Sequence, residues 1–312
     1  MSAKIWMDVD TGADDAIALM AACALEKEGA LTLLGVSAVN GNAPLERTFV
    51  NSRDILSLCG RSDIPVYAGA ERPLIEECFY ADYIHGKSGL GRVELEPSAA
   101  PVEEEKAWDA LYRCACENDG ELELILTGPQ TNAAIALSKY PDLKKHLKRI
   151  LVMGGAAVGG NVTPAAEFNI HADPHAAETV FSSGIPIVMC GLDVTMKAGL
   201  TREEIALLEG SNTKAGMVYA GSMGPLKKLS LVKEDDICAV HDVCPLFYAV
   251  SPELFGSVHC GVHVETGGKL TKGQTVADYD TDRKFPDRNV DLVLDVDREA
   301  FVGKLLDLLM KV

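Results

Sequence analysis

Short apolar runs alternate with segments of helical periodicity along most of the chain. Five runs have the length of buried strands and end in glycine or a polar loop: KIWMDV, LTLLGVSAV, LELILTG, RILVMGG and IPIVMCGLDV. Apolar residues recur at helical spacing between them, in DDAIALMAACALEKEG, from about Pro44 to Cys59, near Asn132 to Ser138 and from Pro174 to Ser183. This order predicts an α/β fold in which a single large domain, residues 1–312, holds a mostly parallel central sheet with helices on both faces.

Polar residues follow the predicted strands at the points where those strands end. Asp10 follows the first strand and Asn40 follows the second, while Thr127 and Asp193 follow LELIL and IPIVMC. In open α/β sheets, ligands bind beyond the carboxyl ends of the strands. The sequence therefore predicts a functional site at this edge of the sheet.

The segment DVDTGADDAI brings several carboxylates to the end of the first strand, those of Asp8, Asp10, Asp14 and Asp15. Helix capping explains Asp14 or Asp15, since an acid in the first turn of a helix accepts backbone N–H bonds. It does not explain Asp8 and Asp10, and like charges this close raise each other's pKa unless a cation neutralises them. Oxygen ligands without a nearby cysteine or histidine pair favour a hard cation, calcium or magnesium.

Two histidines stand in segments that allow a functional or a purely structural interpretation. His241 and Asp242 directly precede an apolar helix in AVHDVCPLFYAV, where Asp242 would also serve as a helix cap. His85 lies in YIHGKSGLG, whose glycines predict a mobile loop with this histidine as a lid residue. Neither segment decides between the two interpretations by itself.

The segment GNVTPAAEFNIHADPHAA carries a further group of polar side chains. Asn161, Glu167 and Asn169 are either turn-forming residues or donors and acceptors for a hydroxyl-rich ligand. Their spacing alone is compatible with both interpretations.

Charge and composition narrow the classes of partner. The chain of 312 residues has a net charge of -17, which argues against nucleic acid because phosphate binding requires a basic face. Its nine cysteines are scattered without a CxxC pair, so we expect no disulfide framework or zinc site and predict a reducing cytoplasm. No apolar run reaches membrane-spanning length and the N-terminus lacks a signal-peptide pattern, so no membrane partner is expected.

Taken together, these segments resemble the nucleoside hydrolase family in its inosine-uridine preferring branch. The matching motifs run in order from residue 4 to about 256: DVDTGADDA, RSDIPVYAGA, HGKSGLG, TGPQTN, VMGG, AEFNIHADPHAA, GLDVT and VHDVCPLFYAVSPELF. The resemblance implies a calcium-dependent enzyme that cleaves a ribonucleoside to ribose and free base. It also implies assembly as a homodimer or homotetramer.

The resemblance implies residue roles position by position. Calcium would be held by three carboxylates and one main-chain carbonyl, those of Asp10, Asp15, Asp242 and Thr127. Four side chains would hold the ribose hydroxyls and two further residues would line the site: Asp14, Asn161, Glu167 and Asn169, with Asn40 and Met153. Asp8 would support the metal ligands from behind.

The chemistry of N-glycosidic cleavage agrees with these residue types. Positive charge develops on the ribosyl ring as the bond breaks, and nearby carboxylates stabilise that charge. Asp10 is the expected general base for the attacking water, beside a calcium ion that lowers the pKa of that water. His241 is the expected acid that protonates the leaving base, because an unperturbed imidazole titrates near neutral pH.

The sequence departs from the family pattern mainly where relatives recognise the base. Ser88 stands where an acid is common and Gln130 where an apolar residue is common. Residues 217–235 differ most, because relatives place a regular helix there and three residues of this chain would break it: Gly221, Gly224 and Pro225. Three tyrosines are candidates for stacking on the base, with core or surface packing as an equal alternative for each: Tyr80, Tyr83 and Tyr219.

Two other functions stay open at this level. A haloacid-dehalogenase-like phosphatase would share the DVDTG strand end, but Gly12 occupies an offset where that family needs threonine or valine, and AEFN and HD would be unexplained. A non-catalytic nucleoside- or ribose-binding protein on the same fold would need neither Asp10 as a base nor His241 as an acid. The sequence therefore favours the hydrolase.

Overall fold

The computed structural model describes residues 2–233 and 236–312, which form an α/β fold. The strands are β1 Ala3–Val9, β2 Leu31–Ala38, β3 Val66–Ala68, β4 Leu122–Leu126, β5 Leu147–Met153, β6 Ile187–Cys190, β7 Gly199–Leu200, β8 Cys238–Ala239, β9 Phe255–Cys260, β10 Val262–Val264, β11 Thr275–Ala277 and β12 Val290–Val296. The α-helices are α1 Ala13–Lys27, α2 Leu45–Leu58, α3 Asp82–His85, α4 Ala107–Asn118, α5 Thr131–Lys139, α6 Phe168–Ala172, α7 Pro174–Phe181, α8 Leu192–Thr195, α9 Arg202–Glu209, α10 Lys214–Ser222, α11 Gly224–Ser230, α12 Val243–Val250 and α13 Arg298–Leu309.

Eight of the strands form one sheet in the order β3-β2-β1-β4-β5-β6-β12-β9. Every neighbouring pair in it is parallel except β12 and β9, which run antiparallel. The prediction of a mostly parallel central sheet is therefore confirmed. The five predicted strands correspond to β1, β2, β4, β5 and β6, whereas the apolar pattern did not predict β3, β9 and β12, which extend the two ends of the sheet.

Alternation along β1 divides the apolar core between the two faces of the sheet. Met7 and Val9 pack in a cluster with side chains of α1, α12 and α13, whereas Trp6 packs in a second cluster with α4, α5 and α7. Successive side chains of a strand point to opposite faces, so this split confirms helices on both sides. Within the described ranges, none of the helices combines the length and apolar content needed to cross a membrane.

The predicted helix of the 217–235 segment is interrupted at Gly224 and Pro225, as expected, but not at Gly221. Helix α10 ends at Ser222 and α11 begins at Gly224, with Pro225 in the first turn of α11 where its missing N–H costs nothing. Gly221 lies inside α10, and a Cβ there would approach the Val93 side chain to 2.6 Å, so this glycine permits close packing instead of ending the helix. Glu234 and Asp235 of this segment lie outside the described residues.

Candidate active site

A cavity of about 270 Å³ opens at the carboxyl ends of the parallel strands, the edge that the sequence predicts. Nine of the residues expected to act in the site line it: Asp14, His85, Thr127, Met153, Asn161, Glu167, Asn169, His241 and Asp242. They come from the first turn of α1, the end of β5, the loops after β4 and β5, helices α3 and α6, and the two residues that precede α12. Three further expected residues, Asp10, Asp15 and Asn40, are buried and do not line the cavity.

Asp10 is completely buried and has one oxygen without a partner. Its Oδ2 accepts the backbone N–H of Asn42 at 2.7 Å, while its Oδ1 makes no hydrogen bond. Glycines flank this carboxylate, since a Cβ would lie 2.8 Å from Oδ1 at Gly128 and 2.1 Å from Oδ2 at Gly41. Burial, and then the negative charge of Asp15, raise the pKa of Asp10 well above its ordinary range.

Asp15 is also buried, but its carboxylate is well supplied with donors. Its Oδ2 accepts the backbone N–H of Gly12 at 3.0 Å and the amide of Asn42 at 3.2 Å, and its Oδ1 accepts the Thr127 hydroxyl at 2.8 Å. The Gly12 contact caps α1, so the capping interpretation of the aspartate segment applies to this residue. Burial, followed by the charge of Asp14, raises the pKa of Asp15 to about 7.

Asp242 joins this group from far along the chain. It directly precedes α12 as the N-cap residue, yet its side chain makes no capping hydrogen bond. Carboxylate oxygens of Asp14, Asp15 and Asp242 lie within 4.8 Å of one another. Burial and then the charges of the other aspartates raise the pKa of Asp242 well above its ordinary range. Converging acids with an unpaired buried oxygen on Asp10 fit a hard divalent cation, which binds oxygen ligands.

Asp8 lies behind the metal-site carboxylates and connects three elements. Its Oδ1 accepts the hydroxyl of Ser37 on β2 and the amide of Asn132 on α5, the latter at 2.7 Å. Its carbonyl accepts the N–H of Thr127 at 2.9 Å. Asp8 therefore fixes the ends of β1, β2 and β4 relative to one another.

The polar side of the cavity near β5 is held by backbone contacts. Glu167 Oε2 accepts the N–H groups of Gly155 at 2.9 Å and Ile170 at 3.2 Å, and burial raises the pKa of Glu167 to about 7. The Asn169 amide donates to the carbonyl of Thr127 at 2.7 Å and to that of Met153 at 3.1 Å. These contacts position Glu167 and Asn169 at the cavity wall, at the ends of two neighbouring strands.

The two histidines of the cavity differ in the proton chemistry that their partners allow. His85 Nδ1 accepts the backbone N–H of Ala13 at 3.1 Å, so its ring proton sits on Nε2. His241 Nδ1 lies 2.8 Å from the Thr195 hydroxyl, which can donate or accept, so both the neutral and the charged ring are compatible with this contact. Burial lowers the pKa of both histidines, and the charge of Asp14 acts in the opposite direction.

Asn40 was expected to line the site but does not line the cavity. Its amide donates to the Ala70 carbonyl at 3.3 Å, which holds the β2 and β3 loops together. Asn42 lines the cavity instead and donates to Asp10 and Asp15. The signal for Asn42 was present in the sequence, since it also follows the second strand, but a pattern cannot tell which of two nearby amides faces inward.

The three tyrosines considered for stacking on the base differ in burial and in position relative to the cavity. Tyr219 is completely buried in the core on α10, so it does not stack on a base in the cavity. Tyr83 on α3 lines the cavity, and Tyr80 does not. Sequence reasoning missed the apolar lining residues Leu226 and Leu229, because nothing in the sequence indicated which face of α11 would meet the site.

Comparisons with known proteins agree with this fold and site. The family model described as inosine-uridine preferring nucleoside hydrolase matches residues 5–303. Pyrimidine-specific ribonucleoside hydrolases RihA of Escherichia coli strain K12 and of Photobacterium profundum are each 40% identical, over 98% of this chain and 98% of theirs.

Solved structures of nucleoside hydrolases superpose closely on this chain. A plant nucleoside hydrolase, PpNRh1, superposes with a TM-score of 0.90 at 30% identity over 99% of both chains. A purine-preferring ribonucleoside hydrolase from Gardnerella vaginalis also has a TM-score of 0.90, at 31% identity over 99% of this chain and 98% of its own.

These matches identify the chain as an N-glycosyl hydrolase that acts on ribonucleosides. The chain belongs to the inosine-uridine preferring nucleoside hydrolase family. It hydrolyses ribonucleosides to ribose and free base, as the resemblance in its motifs implies. Members of this family depend on a metal ion, and the carboxylates of Asp14, Asp15 and Asp242 converge in an acidic cluster at this site.

Burial of Glu167 predicts a pH dependence of stability in protein kept free of divalent metal. Its pKa rises from 4.5 to about 7, so between these values the folded protein retains a proton that the unfolded chain has lost. The protonated Glu167 therefore adds to the free energy of unfolding in full below pH 4.5, and this addition disappears as the pH rises through 7. The loss amounts to up to about 3 kcal/mol. Denaturant titrations at pH 5 and pH 8 should show a smaller loss of unfolding free energy for Glu167→Gln than for wild type.

The exposed acid Glu77 offers a control, since Glu77→Gln should keep the wild-type pH dependence. Identical pH dependence in wild type and Glu167→Gln would contradict the assigned pKa of Glu167.

Proposed function

We propose that the ribonucleoside hydrolysis depends on one calcium ion held by Asp10, Asp15 and Asp242 and by the Thr127 carbonyl. The observation that carries this proposal is the unpaired, buried Oδ1 of Asp10 beside three converging carboxylates. A buried acceptor without a partner costs free energy, and repulsion between the carboxylates adds to that cost. A calcium ion satisfies both, since it binds six to eight oxygen ligands and tolerates irregular geometry.

The remaining polar residues of the cavity hold the ribose in this proposal. Asp14, Asn161, Glu167 and Asn169 face the cavity and offer carboxylate and amide groups to the sugar hydroxyls. The backbone contacts of Glu167 and Asn169 fix their side chains before substrate arrives, so binding energy is converted into orientation. Met153 lines the same wall.

Proton transfer is assigned to Asp10 and His241. Asp10 accepts the proton of the attacking water as the general base. Bound calcium supplies positive charge that lowers the pKa of that water. His241 protonates the departing base. The Thr195 hydroxyl can donate to or accept from His241 Nδ1, so this hydrogen bond is compatible with both the charged ring and the neutral ring that remains after proton transfer. His85 is less suited to this role, because accepting the Ala13 N–H prevents its Nδ1 from binding a proton.

The chain is proposed to act as one domain over residues 1–312 in the cytoplasm and to assemble as a homodimer or homotetramer. The family model spans residues 5–303, and all nine cysteines are free thiols, which agree with the first two statements. Sedimentation equilibrium would measure the assembly state. The expected partner is a small ribonucleoside, without nucleic acid or membrane.

The direct experiment is reducing-sugar release from uridine and inosine with calcium present. Uridine is included because RihA relatives are named pyrimidine-specific, and inosine because a structural relative is named purine-preferring. Ribose release supports the proposal. Tight binding without turnover would instead indicate a binding protein, and phosphate release from a phosphoester with magnesium would indicate a phosphatase.

Calcium and Asp10 provide the first prediction. Protein purified without chelator should contain about one calcium per chain and lose activity when the ion is removed. Asp10→Asn should lower kcat by at least about 10²-fold, the usual scale for loss of a general base, and calcium content must be measured in the same sample. Asp54→Asn, a change at a buried acid of α2 outside the cavity, is the control and should keep its activity.

Full activity after chelation, or zinc in place of calcium, would contradict the metal assignment. A calcium-loaded Asp10→Asn enzyme with normal kcat would show that another group is the base.

Sugar recognition provides the second prediction. The polar groups of Asp14, Glu167 and Asn169 would be left unpaired by a sugar that lacks a hydroxyl, and such sites reject deoxy analogues strongly, by as much as about 10⁴-fold. We therefore expect 2′-deoxyuridine to be hydrolysed far more slowly than uridine in a direct comparison of kcat/KM. Equal rates on the two nucleosides would be incompatible with the assigned ribose contacts.

The role of His241 provides the third prediction. His241→Ala should lower kcat on uridine by about 10²–10⁴-fold, the range for general acid catalysis. The same variant should retain most of its rate on p-nitrophenyl riboside, because p-nitrophenolate departs without protonation. Equal losses on both substrates would assign His241 to positioning of the ribose or metal, and no loss on either would move the acid role to another residue.

A further inference from the structure

The cavity has a second half that is apolar. Beside the polar ribose and metal residues it is lined by Tyr83 and Ile84 of α3, by Met196, and by Leu226 and Leu229 of α11. Three of these side chains are strongly exposed, Leu229 at 62%, Tyr83 at 60% and Met196 at 53%. Scattered exposed apolar residues are ordinary, but several of them converging on one cavity mark a ligand-binding surface.

Helix α11 presents two different faces. Leu226 and Leu229 are three residues apart, so they lie on the same side of the helix and face the cavity together. Lys227 and Lys228 occupy another side, where Lys227 pairs with Glu209 of α9. The break at Met223 starts α11 as a separate helix that contacts α3, so this interruption sets the direction in which the leucines point.

Polar groups that could read a base are scarce in this half. The Asn42 amide also lines the cavity, but it donates to Asp15. Apart from Asn42 and the proposed ribose and metal residues, the described lining side chains contribute only the Tyr83 hydroxyl and the rings of His85 and His241 as polar groups. A site built from hydrogen bonds rejects ligands that cannot make them by large factors, whereas an apolar pocket discriminates by about 10–200-fold per methylene group. The base is therefore selected by its shape and apolar surface.

We propose that Leu226 and Leu229 are specificity-determining residues that favour ribonucleosides whose base carries an alkyl substituent. This inference rests on the proposed ribose-binding role of the polar half, which leaves the apolar half to the base at the other end of the glycosidic bond. Base binding covers apolar side chains that water otherwise contacts, and each added methyl group on the base enlarges the covered area. One buried methyl group corresponds to an increase of about fourfold in binding.

The test compares kcat/KM for uridine, 5-methyluridine and 5-ethyluridine, which present the same hydrogen-bonding edge. In the calcium-loaded enzyme, the 5-methyluridine to uridine ratio should be about four, with a further increase for 5-ethyluridine. Leu226→Ala and Leu229→Ala should each bring the ratio close to one. Because the ratio is compared between variants, the intrinsic difference in leaving-group chemistry cancels.

Two further variants serve as controls. Leu207→Ala truncates a leucine of similar exposure on α9, outside the cavity, and should keep the wild-type ratio. Leu226→Met conserves volume and apolar character and should also keep the ratio, which gives a result even if an alanine variant fails to fold.

The inference is overturned if Leu226→Ala and Leu229→Ala both keep the wild-type ratio of kcat/KM for 5-methyluridine to kcat/KM for uridine. It is also overturned if Leu207→Ala lowers this ratio as much as they do. If the enzyme releases ribose from uridine but the 5-methyluridine to uridine ratio does not depend on Leu226 or Leu229, only this inference fails. Release neither from these three nucleosides nor from inosine would instead defeat the activity on which it rests.

Discussion

The site depends on the repulsion among carboxylates that the fold forces into its interior. Burial and mutual repulsion oppose the charged forms of Asp10, Asp15 and Asp242. Neutral donors from Asn42 and Thr127 offset part of this cost, but the Asp10 Oδ1 has no donor at all. In the proposed site, the metal ion on which nucleoside hydrolases depend would remove both the repulsion and the unpaired oxygen. The acids are thus prepared for a cation before it binds.

The parallel sheet makes this arrangement possible. Because β1 lies between β2 and β4, the turns after all three strands meet at one edge. The glycines at 41 and 128 follow β2 and β4 and let the backbone approach the Asp10 carboxylate more closely than any side chain would allow. Asp8 holds the same three elements together from behind. The position of the carboxylate cluster therefore follows directly from the geometry of the sheet.

The polar and apolar halves of the cavity are formed by different parts of the fold. The polar half is fixed by the sheet edge and by backbone contacts, so it changes little without loss of the fold. The apolar half comes mainly from α3 and α11, which contact each other beside the cavity. Relatives named for pyrimidines and for purines share this family, and the purine-preferring one superposes with a TM-score of 0.90. Base preference therefore varies on an almost constant framework.

The parallel sheet, the helices on both faces and the position of the cavity were all predictable from the sequence. Each of these follows from local apolar periodicity and from polar residues such as Asp10 and Thr127 at strand ends. The three-dimensional structure was needed to establish that Asn42, and not Asn40, faces the cavity, that Tyr219 belongs to the core, and that the leucines of α11 point into the cavity. Those outcomes depend on how separate elements pack, and a local pattern does not record which face of a turn or helix meets a distant neighbour.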